Sequence, residues 1–214
     1  LVQQVKERGV YSFCMCPGGF IVPAATAQGE LVVNGMSPSK RNNLYANSGI
    51  VVEINVHQDI PKYDHFGALK GLEYQKSLEK LAFTAGGRTQ TAPAQRLTDF
   101  VDGKLSSTLN DSSYQPGLKS APLHSLLPKI IGSRLRTGLK EFGKKMNGYY
   151  TEEANVIGVE SRTSSPVSIP RKENLEHTEI EGLYPCGEGG GYAGGIVSAA
   201  MDGERCAEAA IKGY

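Results

Sequence analysis

Short apolar runs at period two alternate with longer stretches at helical spacing along these 214 residues, and the alternation predicts a mixed α+β protein. Residues 1–10 carry Leu1, Val2 and Val5 at helix-like spacing and stop at Gly9, which predicts a short helix with a glycine end. From Val10 the pattern becomes strand-like, over residues 10–13, 20–24, 31–33 and 50–56. Gln28-Gly29-Glu30 reads as the hairpin turn between the second and third of these, and Asn34-Gly35 as the turn after the third. A small antiparallel meander over residues 10–57 is the expected sheet, bent or edge-exposed at Pro17-Gly18-Gly19 and Pro23.

Residues 66–85 return to helical spacing, with Leu69, Leu72, Leu78, Leu81 and Ala82 on one side and Lys70, Glu73, Lys76, Glu79 and Lys80 elsewhere. Gly86-Gly87 ends that helix, and Pro93 is expected to start a second short one through Phe100. Residues 102–119 are rich in Ser, Asn, Asp and Gly and predict a long loop, either a functional lid or a linker. A helix over residues 129–146 buries a stripe of Ile130, Ile131, Leu135, Leu139, Phe142 and Met146. Strands over residues 154–159 and 166–169 follow. The chain closes on an apolar strand, a tight turn and a helix that repeats through Ile196, Val197, Ala200, Cys206, Ala207, Ala210 and Ile211.

That closing turn carries the most specific chemistry. Gly187, Gly189, Gly190, Gly191, Gly194 and Gly195 leave almost no side chain around a helix entrance, so a ligand can approach the backbone and meet the unpaired N–H groups of the first turn. Glu188, inside the turn, is an acceptor suited to ribose or ribityl hydroxyls and would repel a phosphate. Gly189, Gly191 and Gly194 spell G-x-G-x-x-G, yet the dinucleotide fingerprint needs a second strand with an acidic residue about 20 positions later. The sequence stops at Tyr214, so the turn reads as the last strand and helix of a larger cofactor domain.

The run Gly182-Leu183-Tyr184-Pro185-Cys186-Gly187-Glu188-Gly189-Gly190-Gly191-Tyr192-Ala193-Gly194-Gly195-Ile196, continued by Ser198-Ala199-Ala200-Met201-Asp202-Gly203, resembles the C-terminal flavin-contacting segment of bacterial FAD-dependent dehydrogenases. These are the NAD(FAD)-utilising dehydrogenases of unknown substrate. Phe13-Cys14-Met15-Cys16-Pro17-Gly18-Gly19, Val159-Glu160-Ser161-Arg162-Thr163-Ser164-Ser165-Pro166-Val167, Ser113-Tyr114-Gln115-Pro116-Gly117 and Leu126-Leu127-Pro128 extend the likeness over nearly the whole chain. The resemblance implies FAD as cofactor in the full-length protein, a small-molecule substrate, and NAD(P)H as a candidate electron partner. It implies cofactor contacts at Gly187, Glu188, Gly189, Gly190, Gly191, Tyr192, Ala193, Gly194, Gly195 and Ile196. An N-terminal FAD-binding Rossmann segment with its own glycine fingerprint is absent, which makes the chain look like the C-terminal part of a longer protein, one that alone retains no FAD.

Composition narrows the reading by exclusion. Lys plus Arg number 23 against 22 Asp plus Glu, so net charge gives no pull toward nucleic acid or a membrane surface. The beginning at Leu1 lacks a signal-peptide pattern, and no apolar run approaches the roughly 20 residues of a membrane span, so a cytoplasmic location is expected. Cys14, Cys16, Cys186 and Cys206 fit neither a zinc site nor a disulfide scaffold, and no metal is expected. The cations Lys129, Arg134, Arg136, Lys140, Lys144 and Lys145 raise one competing reading, a non-catalytic binding or interaction domain using helix 129–146.

Weaker site candidates remain. Cys14 and Cys16 stand at a strand end followed by two glycines, either as small buried residues or, as the resemblance implies, in a loop lining the substrate or flavin pocket. Arg162, with Thr163 and Ser164 beside it, suits a carboxylate or phosphate held in bidentate fashion, or pairs with a nearby acid. Lys40-Arg41 and His57 read more simply as surface and structural residues. No acid or base has a partner at fixed spacing, so catalytic residues are not assigned. The expected organisation is a substrate-side domain over residues 1–150 and a returning segment, residues 151–214, whose strand and helix would complete an FAD-binding Rossmann-like domain.

Overall fold

A computed structural model describes residues 1–213; Tyr214, at which the terminal pattern runs out, lies outside the described residues. The fold is α+β, with small sheets packed by helices, as the alternating pattern predicts. The described chain divides into two units, one of residues 1–59 and 76–161, the other of residues 60–75 and 162–213.

The first unit opens with a correction. Residues 1–10 are not helical: β1 (Val2–Val5) pairs antiparallel with β2 (Arg8–Cys16), Val5 opposite Arg8. Lys6 turns the hairpin at φ 55. Val5 and Val10 enter the core, and a hairpin lets both do so while Lys6 and Glu7 at its tip stay exposed and Arg8, which is buried, pairs with Asp59 at 2.7 Å. The meander is also corrected. β2 pairs on its other side with β5 (Asn47–Val52), giving the order β1-β2-β5, while β3 (Phe20–Pro23) and β4 (Val33–Met36) form a separate antiparallel ribbon. The sheet register slips between Phe13 and Cys16, and Gly18 and Gly19 then let the chain pass close to the backbone around Arg41, Asn43 and Met36. Gly29 sits at the tip of the ribbon, as expected, but Asn34 and Gly35 are not a turn: they lie within β4, opposite Val22 and Ile21.

Three more expectations shift. The helix expected over 66–85 is α1 (Lys70–Ala85), preceded by a 3-10 helix, Pro61–Leu69, from which Gly67 at φ 56 separates it. Glu79, expected on its polar side, is buried, and accepts a 2.7 Å bond from the Ser161 hydroxyl. Residues 92–96 are a strand, β6 (Ala92–Arg96), and only then does α2 (Leu97–Asp102) begin. β6 is the central strand between parallel β7 (Leu118–Ser120) and antiparallel β8 (Asn155–Ile157). Pro93 is tolerated there because its carbonyl still accepts the Gly158 N–H at 3.0 Å, beyond the paired residues of β8. The polar stretch 102–119 is held down: Ser106 is buried and accepts the Arg96 N–H, and the Tyr114 hydroxyl donates to the Gln90 carbonyl.

α3 (Leu123–Leu126) leads into α4 (Lys129–Lys145). α4 buries Leu135, Leu139 and Phe142 against Val10, Phe100 and Val101, and Gly138 lies so close to Val10 that a Cβ would come within 2.6 Å of it. This cluster is the core of the first unit.

In the second unit the strand expected over 166–169 does not form. Ser165 folds its hydroxyl back onto the Val167 carbonyl, a local bond that competes with a ladder. Nor is the approach to the glycine turn a strand: Pro185 removes a donor, and the Pro185 carbonyl is taken by a side chain, Arg171. The terminal helix is present as α5 (Ile196–Lys212).

Candidate functional site at the glycine turn

Gly187 to Tyr192 forms a closed turn. The Gly191 N–H donates to the Glu188 carbonyl at 2.9 Å and the Tyr192 N–H to the Gly187 carbonyl at 3.0 Å. Gly187 and Gly191 have φ of 67 and 84, the left-handed region that disfavours side chains. Residues 165–169 back the turn: the Ile169 N–H donates to the Gly190 carbonyl at 3.1 Å and the Tyr192 hydroxyl to the Ile169 carbonyl at 2.6 Å, with the Ser165 hydroxyl oxygen 3.3 Å from the Gly189 carbonyl.

The six glycines separate into two kinds. Gly187 and Gly191 are required by φ, and Gly190 by packing, since a Cβ there would come within 3.0 Å of the Cys186 backbone. Gly189 and Gly194 have neither cause: their φ is ordinary and nothing lies within 4 Å of an added Cβ. Gly195 meets only the Ser198 hydroxyl, at 3.2 Å. Among the described residues nothing stands in the way of a side chain at Gly189 or Gly194, and at Gly195 only the Ser198 hydroxyl would have to give, so the cradle these exposed glycines form stays open to something outside it.

Helix α5 begins at that cradle. Its first helical bond runs from the Ala199 N–H to the Gly195 carbonyl, so the N–H groups of residues 196–198 precede any helical acceptor. Ser198 satisfies Gly195, accepting its N–H at 3.1 Å. No acidic residue stands in the first turn of α5, which leaves the positive end of its dipole unopposed locally.

A nearly buried ion pair fixes the turn to the helix. Arg171 donates to both carboxylate oxygens of Asp202, at 3.0 and 2.8 Å, and their side chains are 10% and 8% exposed. Its Nη1 also reaches the Pro185 carbonyl at 2.8 Å and the Cys206 sulfur at 3.4 Å. The guanidinium lies 3.6 Å from the centre of the Tyr192 ring. Asp202 in turn accepts the Gly187 N–H at 2.9 Å. The Arg171 hydrogen bonds, helped by the Gly187 N–H, hold the Asp202 carboxyl down to about 2 and raise the Arg171 guanidinium above its ordinary value. Burial raises the Cys206 thiol.

The structure thus draws Gly187–Ile196 and the stretch after Arg162 into one unit. Glu188 is exposed in the turn, Tyr192 and Ala193 are partly buried, and Ile196 is 93% exposed. Arg162 and Thr163 are half-buried and Ser164 is exposed; the Thr163 hydroxyl oxygen is enclosed without a hydrogen-bond partner. Cys14 and Cys16 belong to the other unit. Cys14 is exposed at φ 49, whereas Cys16 is buried with its sulfur 3.1 Å from the Ser37 hydroxyl. Arg171 and Asp202 escaped the sequence reading because 30 intervening residues hide the pair. One signal was present: Asp202 shares a helix face with Ala199, Cys206 and Ala209, an odd place for a carboxylate unless something inside neutralises it.

The basic helix gives no support to a binding domain. Four of its six cations serve their own chain: Arg134 pairs with Glu7, Lys144 with Glu141, and Arg136 and Lys145 donate to the Val101 and Val2 carbonyls. Among the described residues no three His, Cys, Asp or Glu side chains cluster as a metal site would require, and no helix is long and apolar enough to cross a membrane.

Comparison with known sequences gives the class first: FAD-dependent proteins. More narrowly, the chain belongs to the family described as FAD-dependent protein, C-terminal domain-like, which matches residues 1–163. A protein of Clostridium beijerinckii (strain ATCC 51743 / NCIMB 8052), described as uncharacterized, is 43% identical over 210 residues. That match covers 97% of this chain but 39% of the relative, so the chain spans well under half of the relative's length.

Proposed function

We propose that the chain is the C-terminal portion of an FAD-dependent dehydrogenase acting on a small molecule, and that the glycine turn with the start of α5 is where it meets the flavin. The observation carrying this reading is the open cradle at Gly189, Gly194 and Gly195, glycines that neither φ nor internal packing requires. FAD, when bound, supplies the capacity to take up two electrons from a substrate. The N–H groups at the start of α5 favour negative charge at the ring edge they face, and Glu188 accepts from the ribityl hydroxyls. Gly194 and Gly195 admit the ring to the backbone. Arg162, Thr163 and Ser164 belong to the flavin or substrate vicinity, and the partnerless Thr163 hydroxyl is the feature that favours it. Cys14 and Cys16 are weaker candidates for the same vicinity, and NAD(P)H is the candidate electron partner.

The rest of the longer polypeptide is the assigned partner of α5. This helix turns Asp202 and Cys206 inward and leaves Ile196, Val197, Met201 and Ile211 between 59% and 93% exposed, so its apolar face points away from its own unit. A sheet of an FAD-binding Rossmann-like domain covers such a face, with residues 1–150 on the substrate side and a cytoplasmic location for the whole.

Flavin extraction from the purified full-length protein tests the reading, with Gly195→Val as the companion variant. Stoichiometric FAD in the wild type and a loss of about tenfold or more in FAD affinity in the variant are expected. A full-length protein that neither carries nor takes up FAD would overturn it, and a variant with normal affinity and reduction potential would move the ring away from this helix.

A further inference from the structure

We propose that Arg171 and Asp202 are the positioning pair of the cofactor turn, and that their mutual neutralisation keeps the start of α5 attractive to negative charge. This rests on the reading of the turn as a flavin contact. One guanidinium gathers the segment entering the turn (Pro185 carbonyl, 2.8 Å), the residue leaving it (Tyr192 ring, 3.6 Å) and the helix beyond it (Asp202, 2.8 and 3.0 Å). The carboxylate holds the first glycine of the turn through the Gly187 N–H at 2.9 Å. The offset between Glu188 and the N–H groups of residues 196–198, which precede the first helical acceptor, is therefore fixed from inside the unit, by side chains that the cofactor need not touch.

Charge supplies the second half of the argument. Asp202 lies on α5 within two turns of its N-terminus, and a bare carboxylate there would oppose the positive end of the helix dipole. Paired in bidentate fashion with Arg171, it leaves the local field to the backbone donors. Removing either partner exposes the other's charge, and the two removals act with opposite sign on anything that gathers negative charge at the helix start. A purely structural brace would give the same sign for both.

The test uses the full-length protein loaded with FAD, with flavin affinity, reduction potential and thermal melting read for Asp202→Asn, Arg171→Met and Arg171→Lys. Asp202→Asn is expected to raise the reduction potential and Arg171→Met to lower it. Both weaken FAD binding about tenfold, the order of a lost hydrogen bond to a charged group. Arg171→Lys keeps the charge but not the fork, so it is expected to hold the potential near wild type while losing affinity. Should Arg171→Met fail to fold, Asp202→Asn and Arg171→Lys still separate charge from geometry. Variants that match wild type in affinity and potential, or that shift the potential in one common direction, overturn the proposal while leaving the flavin site standing. A wild type that takes up no FAD removes the flavin site itself, and the positioning role with it.

Discussion

Alanine at Gly191 and alanine at Gly194 are the same chemical change three residues apart, and the structure predicts opposite consequences. At Gly191 the backbone is left-handed (φ 84), and a Cβ would lie 2.8 Å from the Ser168 Cα and from the Val167 carbonyl oxygen. Both are backbone atoms, which cannot swing aside as a side-chain tip can. The left-handed conformation costs an L-residue about 1–2 kcal/mol and overpacking a further 1–3 kcal/mol or so, giving a loss of about 2–5 kcal/mol in the second unit. At Gly194 nothing lies within 4 Å of the added methyl and φ is ordinary, so the stability change is within about 0.5 kcal/mol. Denaturant melts of the full-length protein, with hydrogen exchange at Ile169, whose N–H bonds the Gly190 carbonyl, report the fold. FAD titration reports the site. Gly191→Ala is expected to lower the melt and unprotect Ile169, whereas Gly194→Ala keeps both and weakens FAD. A stable Gly191→Ala protein would refute the packing argument, and normal FAD affinity in Gly194→Ala would refute the cradle.

Three further outcomes follow from the same geometry. The 214-residue chain purified alone is expected to carry no FAD, because it has no ADP-binding glycine fingerprint; flavin co-purifying at one per chain would contradict that. Asp202, held at about 2 against an ordinary 3.8, gives the folded unit roughly 1–2 kcal/mol after allowance for solvent screening. That stability is present above about pH 4 and drains away as pH falls through 2, so acid melts of Asp202→Asn should lose this dependence and those of wild type should keep it. In the first unit, Gly138→Ala pushes a methyl to within 2.6 Å of Val10, an overlap of about 1–3 kcal/mol partly offset by about 1 kcal/mol of helix propensity. Adding Val10→Ala should relieve the overlap, and a double-mutant cycle without coupling would show that the two side chains do not compete for that space.

The apolar periods determined the α+β class and the long helices α4 and α5, and the glycines marked the ribbon turn at Gly29 and the closed turn ahead of α5. These features are local: a stripe at helical spacing or a cluster of glycines acts through neighbouring residues. Where the sequence misled, the deciding partner was distant. Residues 1–10 have a spacing compatible with either structure, and become a hairpin because β5 pairs with the far side of β2. Residues 92–96 look like a proline-started helix until β7 and β8 supply ladders on both sides. Residues 182–186 have strand composition, but the side chain of Arg171 takes the Pro185 carbonyl and no ladder forms. Tertiary structure alone also revealed which glycines of the turn are needed by the fold and which leave space. A glycine's reason lies in its φ and in the atoms a Cβ would meet, and neither is written in the order of residues. The same holds for Arg171 and Asp202, whose bond exists only because the chain between them folds back on itself.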